Sequence, residues 1–238
     1  MEIIFRKYCF LGFCALVFLA SPVFAVDFEG TSSGIFTNPV GPSGMVTTGV
    51  GTNNFTWGDP NGFGTGPSSL TFAGLNPFSG LFETEFKFGT LTYFNGTIAI
   101  DTQADSVNLV AMLNFTLPPG LPGDFSLPLN LINTPNTGTP EEQADFVQPG
   151  FPFDPNESIE IEGINYFLQF TRFGDIGSNG FITTVNQFHV LEGASARADM
   201  FGILTAHPTN AVPEPATMLL LGSGMIGMVP FIRRKLKK

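Results

Sequence analysis

The amino-acid sequence predicts an all-β fold, an antiparallel β-sandwich of jelly-roll-like form, flanked by an N-terminal signal peptide and a C-terminal single transmembrane helix. Three observations carry that prediction. Apolar residues recur at every second position in several stretches, the spacing that places them on one face of a strand. No stretch between the two ends sustains a capped 3.6-residue pattern. The 238 residues include 27 Phe, 28 Gly and 19 Pro, a composition that supplies a large aromatic core and frequent turns and is not that of a helix-rich Ala/Leu/Glu/Lys protein.

Residues 1–25 come first. Arg6 and Lys7 precede a 13-residue apolar run, Tyr8–Ala20, and the segment closes on Ser21-Pro22-Val23-Phe24-Ala25. A positive start, a short apolar run and small residues at the third and first positions before a cut are the parts of a secretory signal peptide. Signal peptidase is therefore expected to cleave between Ala25 and Val26. Cys9 and Cys14 both lie in this segment, so the mature chain contains no cysteine. Disulfides, thiolate metal sites and a cysteine nucleophile are excluded together.

Residues 26–211 are the secreted domain. The series Val107, Leu109, Ala111, Leu113, Phe115 and Leu117 ends at Pro118-Pro119-Gly120 and sets Asn108, Asn114 and Thr116 on the opposite face, a half-buried strand. Phe82, Thr84, Phe86 and Phe88 alternate with Glu83, Glu85 and Lys87. After Gly89, the stretch Thr90–Ile100 surrounds a predicted Asn95-Gly96 turn, which suggests a hairpin. Further strands are expected over Met45–Val50, Phe55–Trp57, Ser69–Phe72, Phe125–Ile132, Ser158–Glu162, Tyr166–Arg172, Ile182–Leu191 and Ala196–Thr205. The proline-rich stretch Asn133–Pro155 reads as a surface excursion with one helical turn at Glu141–Phe146.

This domain carries Lys87, Arg172 and Arg197 against 18 acids, a net charge of −15. A body so acidic repels polyanions, which excludes nucleic acid and anionic lipid as partners of the domain. Its only histidines are His189, inside an expected strand, and His207, just before Pro208. Neither is placed to serve a Ser or Thr nucleophile, and the two do not make a zinc site. The pairs Glu83/Glu85 and Glu160/Glu162 each share a strand face at i, i+2, the arrangement from which a two-carboxylate glycosidase is built, but a solvated polar face accounts for both. Trp57 is expected in the core. Asp59-Pro60-Asn61-Gly62-Phe63-Gly64 begins like an EF-hand loop but puts Phe63 and Leu70 where oxygen ligands belong. No cofactor is expected; calcium held by some of Asp101, Asp105, Asp124 or Asp175 on a sandwich edge is the one cation the composition leaves open.

Residues 212–238 close the chain. Val212-Pro213-Glu214-Pro215 precedes a 17-residue apolar stretch, Ala216–Ile232, and then the basic cluster Arg233, Arg234, Lys235, Lys237 and Lys238. Seventeen helical residues span about 25 Å, just under a bilayer core of about 30 Å, and the basic cluster is held on the cytoplasmic side. The two prolines keep the backbone extended above the membrane, where an enzyme can grip it.

Together, Val212-Pro213-Glu214-Pro215-Ala216-Thr217-Met218-Leu219-Leu220-Leu221-Gly222-Ser223-Gly224 and Arg233-Arg234-Lys235 resemble the PEP-CTERM sorting signal of Gram-negative bacteria. The resemblance implies that Pro213, Glu214 and Pro215 are read by an exosortase, a membrane-embedded cysteine transpeptidase-like enzyme, and that the protein accompanies exopolysaccharide in a biofilm matrix. A permanent single-pass anchor is the alternative reading of the tail. In the body, Gly49–Gly58, Phe88–Thr97, Asn133–Thr137 and Ala144–Val147 are similar to the choice-of-anchor K domain, which implies a displayed β domain with no catalytic residues. The expected protein is thus non-enzymatic, exported from a Gram-negative cell, transiently anchored in the inner membrane and finally at the cell surface or in the extracellular matrix. The alternative function is a secreted carbohydrate-binding or carbohydrate-active protein with the same tail, which an exposed Trp57 beside paired carboxylates would favour.

Overall fold

The computed structural model describes residues 27–117, 119, 121–150, 159–161 and 164–208. The signal peptide with its cleavage site at Ala25/Val26, the Pro213-Glu214-Pro215 motif, the C-terminal apolar stretch and the basic cluster lie outside the described residues. Within them the chain forms two antiparallel sheets of seven strands each. The first runs β12 (Gly180–Ile182), β13 (Phe188–Val190), β9 (Asp145–Pro149), β8 (Leu121–Ile132), β7 (Ser106–Leu117), β1 (Asp27–Val40), β5 (Phe78–Leu81). The second runs β10 (Ile159–Ile161), β11 (Ile164–Gly174), β14 (Ser195–Pro208), β6 (Glu85–Phe94), β4 (Ser68–Gly74), β3 (Asn54–Trp57), β2 (Thr47–Thr48). This is the all-β, two-sheet arrangement that the alternation predicts, and there is no helix among the described residues.

β7 shows how pattern becomes packing. Val107, Leu109, Ala111, Leu113 and Phe115 are all buried, while the residues between them are partly or fully exposed. The alternation breaks at Leu117, which is 48% exposed, because pairing with β1 ends there, opposite Glu29. Pro128 is tolerated inside β8 because its carbonyl faces Gly150, whose N–H it accepts at 2.7 Å. The side on which proline lacks a donor is thus the side where β9 has already ended.

Between the sheets the core is aromatic. Phe28 meets Phe78, Phe82, Phe86 and Phe115 with ring centroids 4.7 to 6.1 Å apart. A second chain of rings runs Phe36, Phe55, Trp57, Tyr93, Phe188, Phe173, Phe170 with successive centroids 4.9 to 6.5 Å apart. Glycines make room for these rings. A methyl group on Gly34 of β1 would lie 2.7 Å from Cδ1 of Phe72, and one on Gly89 of β6 would overlap Cζ of the same ring.

Several expectations are corrected. β1 is a 14-residue strand over residues where no strand is expected, since Gly30 and Gly34 occupy inward positions that a strand pattern assigns to large side chains. β5 and β9 likewise escape notice, being 4 and 5 residues long. Residues on both sides of Gly89 belong to one strand, β6, held between β14 and β4. Asn95-Gly96 ends that strand, but Asn95 is fully buried and so is not the tip of a hairpin. Ile182–Leu191 is not one strand: it holds the last residue of β12, a turn and β13, which pairs antiparallel with β12. The helical turn falls earlier, with Gln143 N donating to the Thr139 carbonyl at 3.1 Å. Its first turn is a capping box, Thr139 N donating to Glu142 Oε2 at 2.8 Å and Glu142 N to Thr139 Oγ1 at 3.4 Å, and Asp145 and Phe146 pass into β9.

Overpacking a filled site destabilises, so Gly34→Ala and Gly89→Ala should each lower unfolding free energy by about 1–3 kcal/mol. Ser33→Ala on the exposed side of β1 should change it by less than about 0.5 kcal/mol. Denaturant titration followed by the fluorescence of Trp57, the single tryptophan, measures all three.

Candidate functional site

The polar groups of the domain gather in two places. One is an end of the sandwich where β6, β8 and β13 finish and β9 begins. Thr134, just past β8, donates to Asp145 Oδ1 from its N–H at 2.7 Å and from its hydroxyl at 3.0 Å, which ties the 133–144 excursion to β9. Asn95 donates from Nδ2 to the Val190 carbonyl at 3.0 Å, and Val190 faces Asp145 across the ladder. The Asn95 Oδ1 atom is buried without a hydrogen-bond partner. Glu192, in the β13–β14 loop, accepts from Thr97 Oγ1 at 2.5 Å and from Asn136 Nδ2 at 3.1 Å.

Burial dominates the electrostatics of this end. It pushes the Asp145 carboxyl up to about 7, with the Thr134 hydrogen bonds opposing the rise and the Glu192 charge adding to it. Burial likewise holds the Tyr93 phenol well above its usual range, and the charges of Asp145 and Glu192 add to that shift.

The second gathering is on the outer face of the other sheet. Lys87 Nζ lies 2.6 Å from Asp199 Oδ2, and Thr90 donates to the other oxygen at 2.8 Å. Arg172 donates from Nε to Glu85 at 2.9 Å, and its Nη2 lies 2.8 Å from the same oxygen, Oε2. The guanidinium carbon also sits 3.9 Å from the centre of the Phe201 ring. The Arg172 hydrogen bond is the main cause that lowers the Glu85 carboxyl below its usual range. These are cross-strand pairs between β6, β14 and β11, the usual lateral links of a sheet.

The candidate chemistry of the sequence is dispersed by the fold. Trp57 is 3% exposed and stacks on Phe55, so it offers no platform for a sugar. Glu83 stands in the β5–β6 turn at φ 61°, which removes it from the strand face of Glu85. Glu162 lies outside the described residues, as does the side chain of Glu160. His189 is clamped between Phe146 and Phe181, with centroids at 4.5 and 4.8 Å, and its Nε2 is 3.0 Å from Thr183 Oγ1. Burial lowers its pKa, so it is a neutral slice of an aromatic stack. Asp59 Oδ1 accepts from Asn61 N at 2.9 Å, the Asx turn of a tight loop. Asp101 and Asp105 share one loop, Asp124 lies on β8 opposite Met112, and Asp175 follows β11 in the other sheet. Among the described residues no group of three or more His, Cys, Asp or Glu side chains is placed to hold a metal ion. The buried Asp145 was missed from sequence; its signal, a lone acid between Ala144 and Phe146 at the head of a strand, is too common to single out.

The Asp145 carboxyl binds its proton more tightly when folded than when unfolded, where its pKa is about 3.9. Its contribution to stability is thus fully present below about pH 4 and is lost as pH rises through about 7. Asp145→Asn should flatten this slope, gaining on the wild type by up to a few kcal/mol between pH 4 and 7, as read by unfolding midpoints across that range.

Comparison with known proteins assigns the tail. Residues 211–237 match the PEP-CTERM protein-sorting motif, the segment that holds Pro213, Glu214 and Pro215. That motif implies export to the cell envelope or surface through an exosortase-type sorting system, with exosortase as the processing enzyme. The match begins at residue 211 and does not confirm the body's similarity to choice-of-anchor K domains. No curated protein matches the chain.

Proposed function

We propose that this protein is a non-enzymatic β-sandwich made for display. Signal peptidase removes residues 1–25, and the apolar stretch Ala216–Ile232 then holds the chain in the inner membrane with Arg233–Lys238 on the cytoplasmic side. Exosortase reads Pro213-Glu214-Pro215, and the body is left at the cell surface or in an exopolysaccharide matrix. The observation that carries this reading is the sorting motif at residues 211–237, which begins three residues after the last strand of the sandwich ends at Pro208. The choice-of-anchor K resemblance fits the same role, a body whose address is supplied by its tail. Support for a non-enzymatic body comes from the turn that takes Glu83 off the strand face of Glu85, the clamped His189 and the buried Trp57, which offers no platform for a sugar.

Intact-mass measurement of protein recovered outside the cells tests the processing step. The wild type should lack the apolar stretch and basic cluster, while Glu214→Ala should keep them and fractionate with the inner membrane. Loss of the tail from Glu214→Ala at the wild-type rate would count against the reading. Cofactor independence has its own check: EDTA or millimolar calcium should leave the thermal midpoint of the mature protein in place, and a rise of several degrees with calcium would reveal a cation site.

A further inference from the structure

The first and last strands leave the sandwich at the same end. β1 starts at Asp27, which pairs with Leu81 of β5. In the turn after β5, Glu83 N donates to the Leu204 carbonyl of β14 at 3.0 Å. β7 finishes at this end as well, with Leu117 opposite Glu29. The partner strand β6 begins at Glu85, opposite Ile203, whereas β14 continues to Pro208 with β11 beside it, Ile164 facing Pro208. Strand β10 extends that ribbon, Ile161 facing Ile164. A three-stranded overhang therefore projects past the end of β6 and carries the chain toward the sorting motif. The polar end of Asn95, Asp145 and Glu192 is at the opposite pole.

Chain length turns this into an orientation. Five residue steps separate Pro208 from Pro213, and fully extended they reach at most about 17 Å. The apolar stretch follows Pro215 directly. Whatever grips the motif at the membrane surface works within that distance of the overhang's tip, less than the long dimension of a 12-residue strand such as β7, about 40 Å. We infer that the end of the sandwich formed by Asp27, Leu81, Leu117 and the β10–β11–β14 overhang is the surface presented to the sorting enzyme, and that the Asp145/Glu192 end points away from the membrane. This rests on the sorting reading proposed above. The surface suits such a partner: Leu81 and Leu117 are exposed there, 36% and 48%, and flank a cavity of about 370 Å³ between β1, β5 and the end of β7. The occupant to which the geometry commits is the enzyme's extramembrane face, because that is the protein surface the four-residue tether brings against it.

Single cysteines report the orientation, since the mature chain has none of its own. Leu117→Cys and Glu141→Cys, each with Pro213-Glu214-Pro215 intact, keep the full chain at the membrane in cells whose sorting enzyme has its nucleophilic cysteine replaced. Glu141→Cys should then react with a bulky, membrane-impermeant maleimide at least about tenfold faster than Leu117→Cys, whereas in the processed, released protein both should react at similar rates. Equal rates in the anchored chain would overturn the inference. Deleting Thr209–Val212 should slow tail removal at least about tenfold by misplacing the motif, and a Gly/Ser insertion of the same length should not; trimming of the deletion at the wild-type rate would also overturn it. Failure of the wild type itself to be trimmed would instead overturn the sorting reading.

Discussion

Phenylalanine fills the space between the two sheets, and glycine lets it fit. Facing sheets in a sandwich stand about 10 Å apart, and a layer built from Phe28, Phe36, Phe55, Phe72, Phe78, Phe86, Phe88 and Phe188, all buried, would force them further apart if every facing position carried a side chain. Gly34 and Gly89 remove that obstacle around Phe72. The same fit explains why β1 can pass over the core with only Phe28 and Phe36 as large inward residues, and why Ser32 can bridge the sheets. Its hydroxyl donates to the Phe88 carbonyl at 2.6 Å and accepts from Leu75 N at 2.7 Å.

What the sequence reveals follows from this packing. Strands whose inward residues are all large, such as β7, announce themselves by period 2, and the all-β class can be read directly. Strands whose inward positions alternate ring with glycine look like loops, which is why β1 is hidden despite its length. Asn95-Gly96 has the composition of a hairpin tip, yet burial of Asn95 against Val190 turns it into an internal junction, a tertiary outcome that no local pattern encodes. The candidate site divides in the same way. The sorting motif is legible because it is a contiguous string read by an enzyme, whereas the buried Asp145 depends on Thr134 and Glu192, brought to it from other loops by the fold.

Charge follows architecture too. Two of the body's three cations, Lys87 and Arg172, sit mid-sheet in ion pairs with Asp199 and Glu85. The acids at the end opposite the tail are left without basic partners among the described residues. Uncompensated negative charge at that end makes copies of the body repel one another, which suits the proposed role in display.

Among the described residues both sheets and the aromatic core lie between residues 27 and 208, so the body should fold without residues 1–25 and 212–238. The direct test is to produce residues 26–211 alone and follow denaturant unfolding by Trp57 fluorescence together with circular dichroism. A β spectrum, a blue-shifted Trp57 emission and one cooperative transition seen alike by both probes are expected. A solvent-exposed emission at zero denaturant, or gradual loss of signal without a transition, would contradict independent folding of the body.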